Sequence, residues 1–177
     1  MPLDADPPSS APSREQSASP TGLRFDARRW TWSEQVVGIA TLVLFVSLFM
    51  PWFGASMTFF DTPVESTVNG LWHGYMYIDL ILALAILAYL FTRAAFETLP
   101  FGLPSDTAKF FLAGATSLNL LLALISFLTK PTGVTGGLGT SWQYGAYVGL
   151  IGAIVAAAAS VGAIVAGALS TRTQVHR

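Results

Sequence analysis

The sequence predicts an all-α integral membrane protein, a four-helix bundle with both termini cytoplasmic. Three observations carry that prediction. The 177-residue chain is 53% hydrophobic and only 11% charged, whereas soluble domains carry about 25% charged residues. A chain of this length buries too little surface to hide such a deficit in a soluble core. Its apolar residues fall instead into four long runs, near the ~20 residues that cross a ~30 Å hydrocarbon layer. Finally, Arg14, Arg24, Arg28, Arg29, Arg93, Lys109, Arg172 and Arg177 lie at the termini and in the central connection, while the other two connections hold only Lys130. Basic residues accumulate on the cytoplasmic side, which places both ends and the central connection there, at an inner (plasma) membrane.

Residues 1–22 hold Pro, Ser, Ala and Asp with few large apolar side chains. Such a stretch cannot offset the entropy of ordering, so a disordered tail is expected. It lacks the basic start and apolar core of a secretory signal. Residues 23–34 (LRFDARRWTWSE) mix Arg24, Arg28 and Arg29 with Trp30 and Trp32. Basic and aromatic residues beside an apolar run mark an interfacial segment lying on lipid or anchoring the chain. The segment is short and leads directly into a span, so it is not read as nucleic-acid binding. Glu34 is expected at the interface, paired with Arg28 or Arg29.

The first helix is expected over about 35–53, with Pro51 tolerated near its end and Trp52 at headgroup level. In the connection that follows, Met57 to Phe60 reads as a short strand and Asn69-Gly70 as a turn. The second helix covers about 75–92 and the third about 108–128. A Gly-rich connection separates the third from the fourth, expected over about 142–169 and long enough to tilt or protrude. Residues 170–177 form a cytoplasmic tail. The interfacial anchors are Arg28, Arg29, Trp30, Trp32, Trp52, Trp72 and Trp142. Residues 72–88 also echo 142–158, with Trp72 against Trp142 and Tyr77 against Tyr147; a parallel internal repeat and shared selection for an aromatic belt both account for this.

Two polar side chains inside the apolar runs are candidate functional residues. Asp79, near the start of the second helix, reads either as a proton or cation site or as an acid favoured by the free N–H groups of a helix start. Asn119, midway along the third helix beside Thr116 and Ser117, suits a hydrogen bond to a neighbouring helix or a substrate contact. In the fourth run Gly145, Gly149, Gly152 and Gly162 create small-xxx-small spacings for close helix approach, either within the chain or towards a partner.

No catalytic constellation emerges. With no cysteine, disulfides, thiolate chemistry and Cys-ligated zinc are excluded. The Gly-rich connection lacks the Gly-Lys-Ser/Thr of a phosphate-binding loop, and no GxSxG accompanies the two histidines. His73 with Asp61 and Glu65 is the single cation set worth considering outside the runs. No cofactor and no resident metal are expected; the partners are membrane lipids, a second copy or another membrane protein.

The string SLFMPWF with the later YIDLILALAILAYL resembles uncharacterised four-helix membrane proteins of actinobacteria, in which a Phe-(Leu/Met)-Pro-Trp helix end precedes an Ile-Asp at the start of the second helix. Phe49, Met50, Pro51, Trp52, Ile78 and Asp79 carry the likeness, which extends over about residues 35–169. It implies the four-helix fold and no catalytic assignment. Trp52 with Gly70-Leu71-Trp72 is also similar to the claudin outer loop, but the paired cysteines are missing and the loop is much shorter, so that assignment is rejected. The expected function is a non-enzymatic accessory or scaffold subunit. The alternative is a small oligomeric transporter or channel with Asp79 and Asn119 on its path.

Overall fold

The computed structural model describes residues 30–95, 105–129 and 140–175. The tail 1–22, Arg28 and Arg29, the connection 96–104, Lys130 with the Gly-rich stretch, and His176 and Arg177 lie outside the described residues. Among the described residues there are four helices: α1 (Trp32–Ser47), α2 (Met76–Ala95), α3 (Ser105–Leu128) and α4 (Tyr144–Val175). Met76–Ala95, Thr107–Leu128 and Tyr144–Ser170 are long and apolar enough to cross a membrane, whereas α1 has 16 residues, about 24 Å at the helical rise.

The all-α expectation needs correction at one end of the helices. Residues expected to finish the first helix instead turn out of it after Ser47 and enter strand β1 (Pro51–Phe59), which pairs antiparallel with β2 (Thr62–Asn69) and with β3 (Thr140–Trp142) in the order β2-β1-β3. The cause is local. Proline biases Met50 away from helical geometry and lacks a donor, so Pro51 suits the first position of a strand. The hairpin turn is Phe60-Asp61, between the paired Phe59 and Thr62, with both residues at positive φ (47° and 61°), the geometry of a two-residue hairpin. Asn69-Gly70 turns as well: Asn69 ends β2 and Gly70–Trp72 forms a 3-10 turn leading towards α2. The echo of Trp72 and Trp142 does not extend to local structure, since Trp72 closes that turn and Trp142 ends a strand.

The start of α1 has an identifiable device. Thr31 caps α1, its hydroxyl accepting from the Glu34 N–H while the Glu34 carboxylate accepts from the Thr31 N–H at 2.8 Å. This reciprocal box is written in the sequence as Thr-x-x-Glu. The helices then pack side by side, α1 against α2 and α4, and α3 against α2 and α4. The closest approach is α1 to α4, where an added Cβ at Gly152 would lie 3.0 Å from the Ala40 carbonyl oxygen. Buried alanines at 146, 153, 156 and 157 continue that thin face.

The sheet is fastened to the helices by Trp52, which is 0% exposed. The β1–β2 register slips between Pro51 and Phe53, so Trp52 is the extra residue of a bulge, a device that re-aims a side chain. Here the bulge turns both Trp52 and Phe53 inward. The indole N–H donates to the Ser47 carbonyl at 2.7 Å, and the Gln143 N–H donates to the Trp52 carbonyl at 2.9 Å. Two glycines make room for the ring: a Cβ at Gly70 would meet its Nε1 at 2.8 Å, and one at Gly149 would meet its Cζ2 at 2.6 Å. Trp52 is thus a core residue and not an interfacial anchor.

Replacing Gly149 tests this packing. The first added carbon would already lie 2.5 Å from the Ser47 hydroxyl, and overpacking typically costs about 1–3 kcal/mol. Gly149→Ala is expected to lower the thermal unfolding midpoint in detergent, and Gly149→Leu to lower it further or prevent folding. An unchanged midpoint in both would refute the close fit.

Candidate functional site

The core of the helices divides into two apolar clusters. One, at the sheet end, joins Leu44, Leu48, Trp52, Phe53, Met76, Ala123, Ala146 and Ala153. The other, at the Arg93 end, joins Val37, Ile86, Leu90, Leu112 and Ala115. Among the described residues, the stretches between them carry four of the eight buried polar residues. On α1, Thr41 lies between Val37 and Leu44. On α3, Thr116 and Asn119 lie between Ala115 and Ala123. On α2, Asp79 lies between Met76 and Ile86, one turn from the sheet-end cluster.

Asp79 is 0% exposed and neither of its carboxylate oxygens has a hydrogen-bond partner; the same holds for Asn119 Oδ1 and Thr41 Oγ1. A buried acceptor left unmatched costs about 1–3 kcal/mol. The other buried hydroxyls behave differently. Ser47 donates to the Leu44 carbonyl at 2.6 Å, Thr116 to that of Leu112 at 2.9 Å and Ser160 to that of Ala156 at 2.8 Å. Ser126 meets His73 Nδ1 at 3.3 Å. Back-bonding to the preceding turn is the ordinary recourse of a helical hydroxyl, and Thr41 does not take it. Asp79 and Asn119 were legible in the sequence. Thr41 was missed, although a lone hydroxyl within VVGIATLVLF at heptad-like spacing from Val37, Leu44 and Leu48 was a usable signal.

The ends of the helices carry ordinary ties. Glu34 pairs with Arg93 across α1 and α2, and Tyr89 OH lies 3.5 Å from the guanidinium; the residues expected to partner Glu34, Arg28 and Arg29, lie outside the described residues. Thr31, Glu34, Tyr89, Arg93, Lys109 and Ser160 line a pocket of about 290 Å³ there. Trp30 Nε1 donates to the Leu90 carbonyl at 3.0 Å, tying the start of α1 to α2. Trp32 is 79% exposed and Trp72 and Trp142 are also exposed. Trp142 stacks on Phe127, with ring centroids 5.2 Å apart. Of the five glycines on α4, Gly145, Gly149 and Gly152 pack against α1 and the residues just after it, whereas Gly162 and Gly167 have nothing within 4 Å of an added Cβ.

At the sheet end, His73 stacks on Tyr75 with centroids 5.2 Å apart, meets Phe53 edge-on and contacts Ser126. Among the described residues no group of three His, Asp or Glu side chains could hold a metal, so His73 is not gathered with Asp61 and Glu65. Burial pushes the pKa of His73 below its usual 6.5 by desolvating the charged form. Below pH 6.5 the unfolded chain therefore takes up a proton that the folded chain resists. Stability falls as pH drops from 6.5 to the folded pKa and is unaffected by this group above 6.5. His73→Gln is expected to flatten that part of the profile in thermal unfolding between pH 8 and pH 5; a slope equal to wild type would show that His73 does not contribute.

Compared with known proteins, the chain matches no family model, no curated protein and no solved structure.

Proposed function

We propose that this chain is a non-enzymatic, multi-pass protein of the plasma membrane, an accessory or scaffold subunit that packs through α4 with itself or with another membrane protein. The observation that carries this reading is the division of labour along α4. Its sheet-end glycines are consumed within the chain, while Ala158, Gly162 and Ala166 stay exposed at small-xxx-small spacing. Among the described residues nothing fills the space over Gly162, and small faces of this kind let helices approach closely in lipid. The absence of any catalytic set in the sequence agrees with it. Gly162→Leu is expected to change the unfolding free energy by no more than about 0.5 kcal/mol, as for surface changes, but to reduce the mass of the complex isolated in gentle detergent. A wild-type complex containing one copy of this chain and nothing else would refute the proposal.

The basic residues favour an orientation with the sheet outside and both termini in the cytoplasm. The chain has no cysteine, so single cysteines report without background. At Ser66 and Thr135 they are expected to react with an impermeant thiol reagent on intact cells, and at Ser105 and Thr173 only after permeabilisation. The reverse pattern would invert the topology.

A second reading, a small oligomeric transporter or channel, is favoured by one observation: the unmatched oxygens of Asp79 in the middle of apolar surroundings. Intramembrane acids commonly serve ion and proton pathways. The two readings separate in liposomes, where ion-coupled flux abolished by Asp79→Asn would support the transporter and flux absent under every gradient would exclude it for the isolated chain.

A further inference from the structure

We propose that the pocket at the Arg93 end of the helices binds a phosphate group, carried by a membrane lipid or free in solution. The site depends on neither the scaffold nor the transporter reading.

All four helices contribute to the lining, which brings the relevant groups to one place. The pocket holds about 290 Å³, with Glu34 from α1, Tyr89 and Arg93 from α2, Lys109 from α3 and Ser160 from α4 in its wall. The acid of that wall is already answered by the chain. One Glu34 carboxylate oxygen accepts from Arg93, and the other accepts from the Thr31 N–H at 2.8 Å and the Thr31 hydroxyl at 3.0 Å. The Ser160 hydroxyl is spent on the Ala156 carbonyl.

The donors of Arg93 and Tyr89 are not exhausted in this way. A guanidinium offers five N–H groups, and among the described residues Arg93 uses only those of Nη1, towards Glu34 and Tyr89. Its Nε and Nη2 donors remain, on a side chain that is 30% exposed. The Tyr89 oxygen accepts from Arg93 at 3.5 Å, and no acceptor among the described residues meets its own O–H. Lys109 adds a second positive charge to the lining. Spare donors beside positive charge call for an anion with several acceptor oxygens, and the planar Arg fork matches the oxygens of a phosphate.

Depth and lining favour a lipid as the carrier. Arg93 lies in the last turn of α2 and Lys109 near the start of α3, so the polar wall sits where the apolar runs end. Val37, Ala108 and Leu112, also in the lining, are buried and apolar, which suits the carbons next to a headgroup and offers nothing to a free ion. Basic pockets between membrane helices hold anionic lipid headgroups in the same way.

The test uses the purified full chain in a phosphate-free non-ionic detergent, following thermal unfolding at constant ionic strength. Inorganic phosphate, dioctanoyl phosphatidic acid and dioctanoylglycerol are titrated separately; the last has the same acyl chains and no phosphate. A ligand of the folded state raises the midpoint saturably. Phosphatidic acid is expected to do so at lower concentration than inorganic phosphate, which identifies a lipid; half-saturation by inorganic phosphate at or below that of the lipid identifies the free ion. Dioctanoylglycerol is expected to have no effect, and Arg93→Gln to abolish the response. Arg93→Gln also strands the Glu34 charge, so Tyr89→Phe decides the matter if it does not fold. Tyr89→Phe changes no charge and is expected to weaken half-saturation by about tenfold, the cost of one hydrogen bond to a charged group. General attraction between basic residues and anionic lipid would leave Tyr89→Phe equal to wild type. No response of wild type to either phosphate compound overturns the proposal. So does an equal response to dioctanoylglycerol, and so does a response unchanged in Tyr89→Phe.

Discussion

The seating of Trp52 is the constraint on which the rest of the architecture depends. One indole touches the end of α1 through Ser47, the 3-10 turn through Gly70 and the first turns of α4 through Gly149. Its backbone carbonyl holds Gln143 at the junction of β3 and α4. Trp52 is therefore a joint between the sheet and the helices, beside the Trp142–Phe127 contact between β3 and α3. Truncating a buried aromatic of this kind costs about 3–5 kcal/mol, and the joint demands more than apolar volume. Without the bulge at Trp52 strict alternation would send either Trp52 or Phe53 outward; with it both face the core. No disulfide closes this end, since the chain has no cysteine. Strand pairing and the Trp52 contacts hold it.

The same joint explains how α4 is used. A helix face of glycine and alanine contributes little side-chain area, but it lets another backbone come close and multiplies dispersion contacts. Between Gly145 and Gly152 that proximity is spent on α1, on Pro51 and on the Trp52 ring. Beyond Ala157 Ser160 is still buried, while Ala158, Gly162 and Ala166 are exposed. At 3.6 residues per turn Ala158, Gly162 and Ala166 lie on a different side of the helix from Gly145, Gly149, Gly152 and Ala156, so α4 carries two small-residue faces with different fates.

The polar stretch between the apolar clusters is a different kind of feature. Glu34, Ser47, Thr116, Ser126 and Ser160 are buried polar residues that the fold satisfies with its own groups. Those contacts explain themselves as structural. Asp79, Asn119 and Thr41 retain oxygens that no group of the chain meets, and this asymmetry among otherwise similar buried residues is what separates candidate functional residues from ordinary interior polarity.

The sequence by itself determined the number, order and approximate limits of the helices, because apolar runs of this length have few other solutions and their periodicity is local information. It also marked Asp79 and Asn119, since a polar side chain within such a run is conspicuous without any knowledge of its neighbours. The Thr-x-x-Glu start of α1 was equally local and readable. Tertiary structure decided what the chain becomes after Met50-Pro51, because that local break is compatible with a loop or a strand start until β2 and β3 pair with it. It decided that Trp52 faces inward, which depends on a bulge and on two glycines distant in sequence, Gly70 and Gly149. It separated Gly162 from the three glycines that precede it, a matter of which helix lies opposite. And it distinguished Thr41 from the other buried hydroxyls, because whether an oxygen finds a partner is a property of the packed chain in three dimensions and not of its neighbours in sequence.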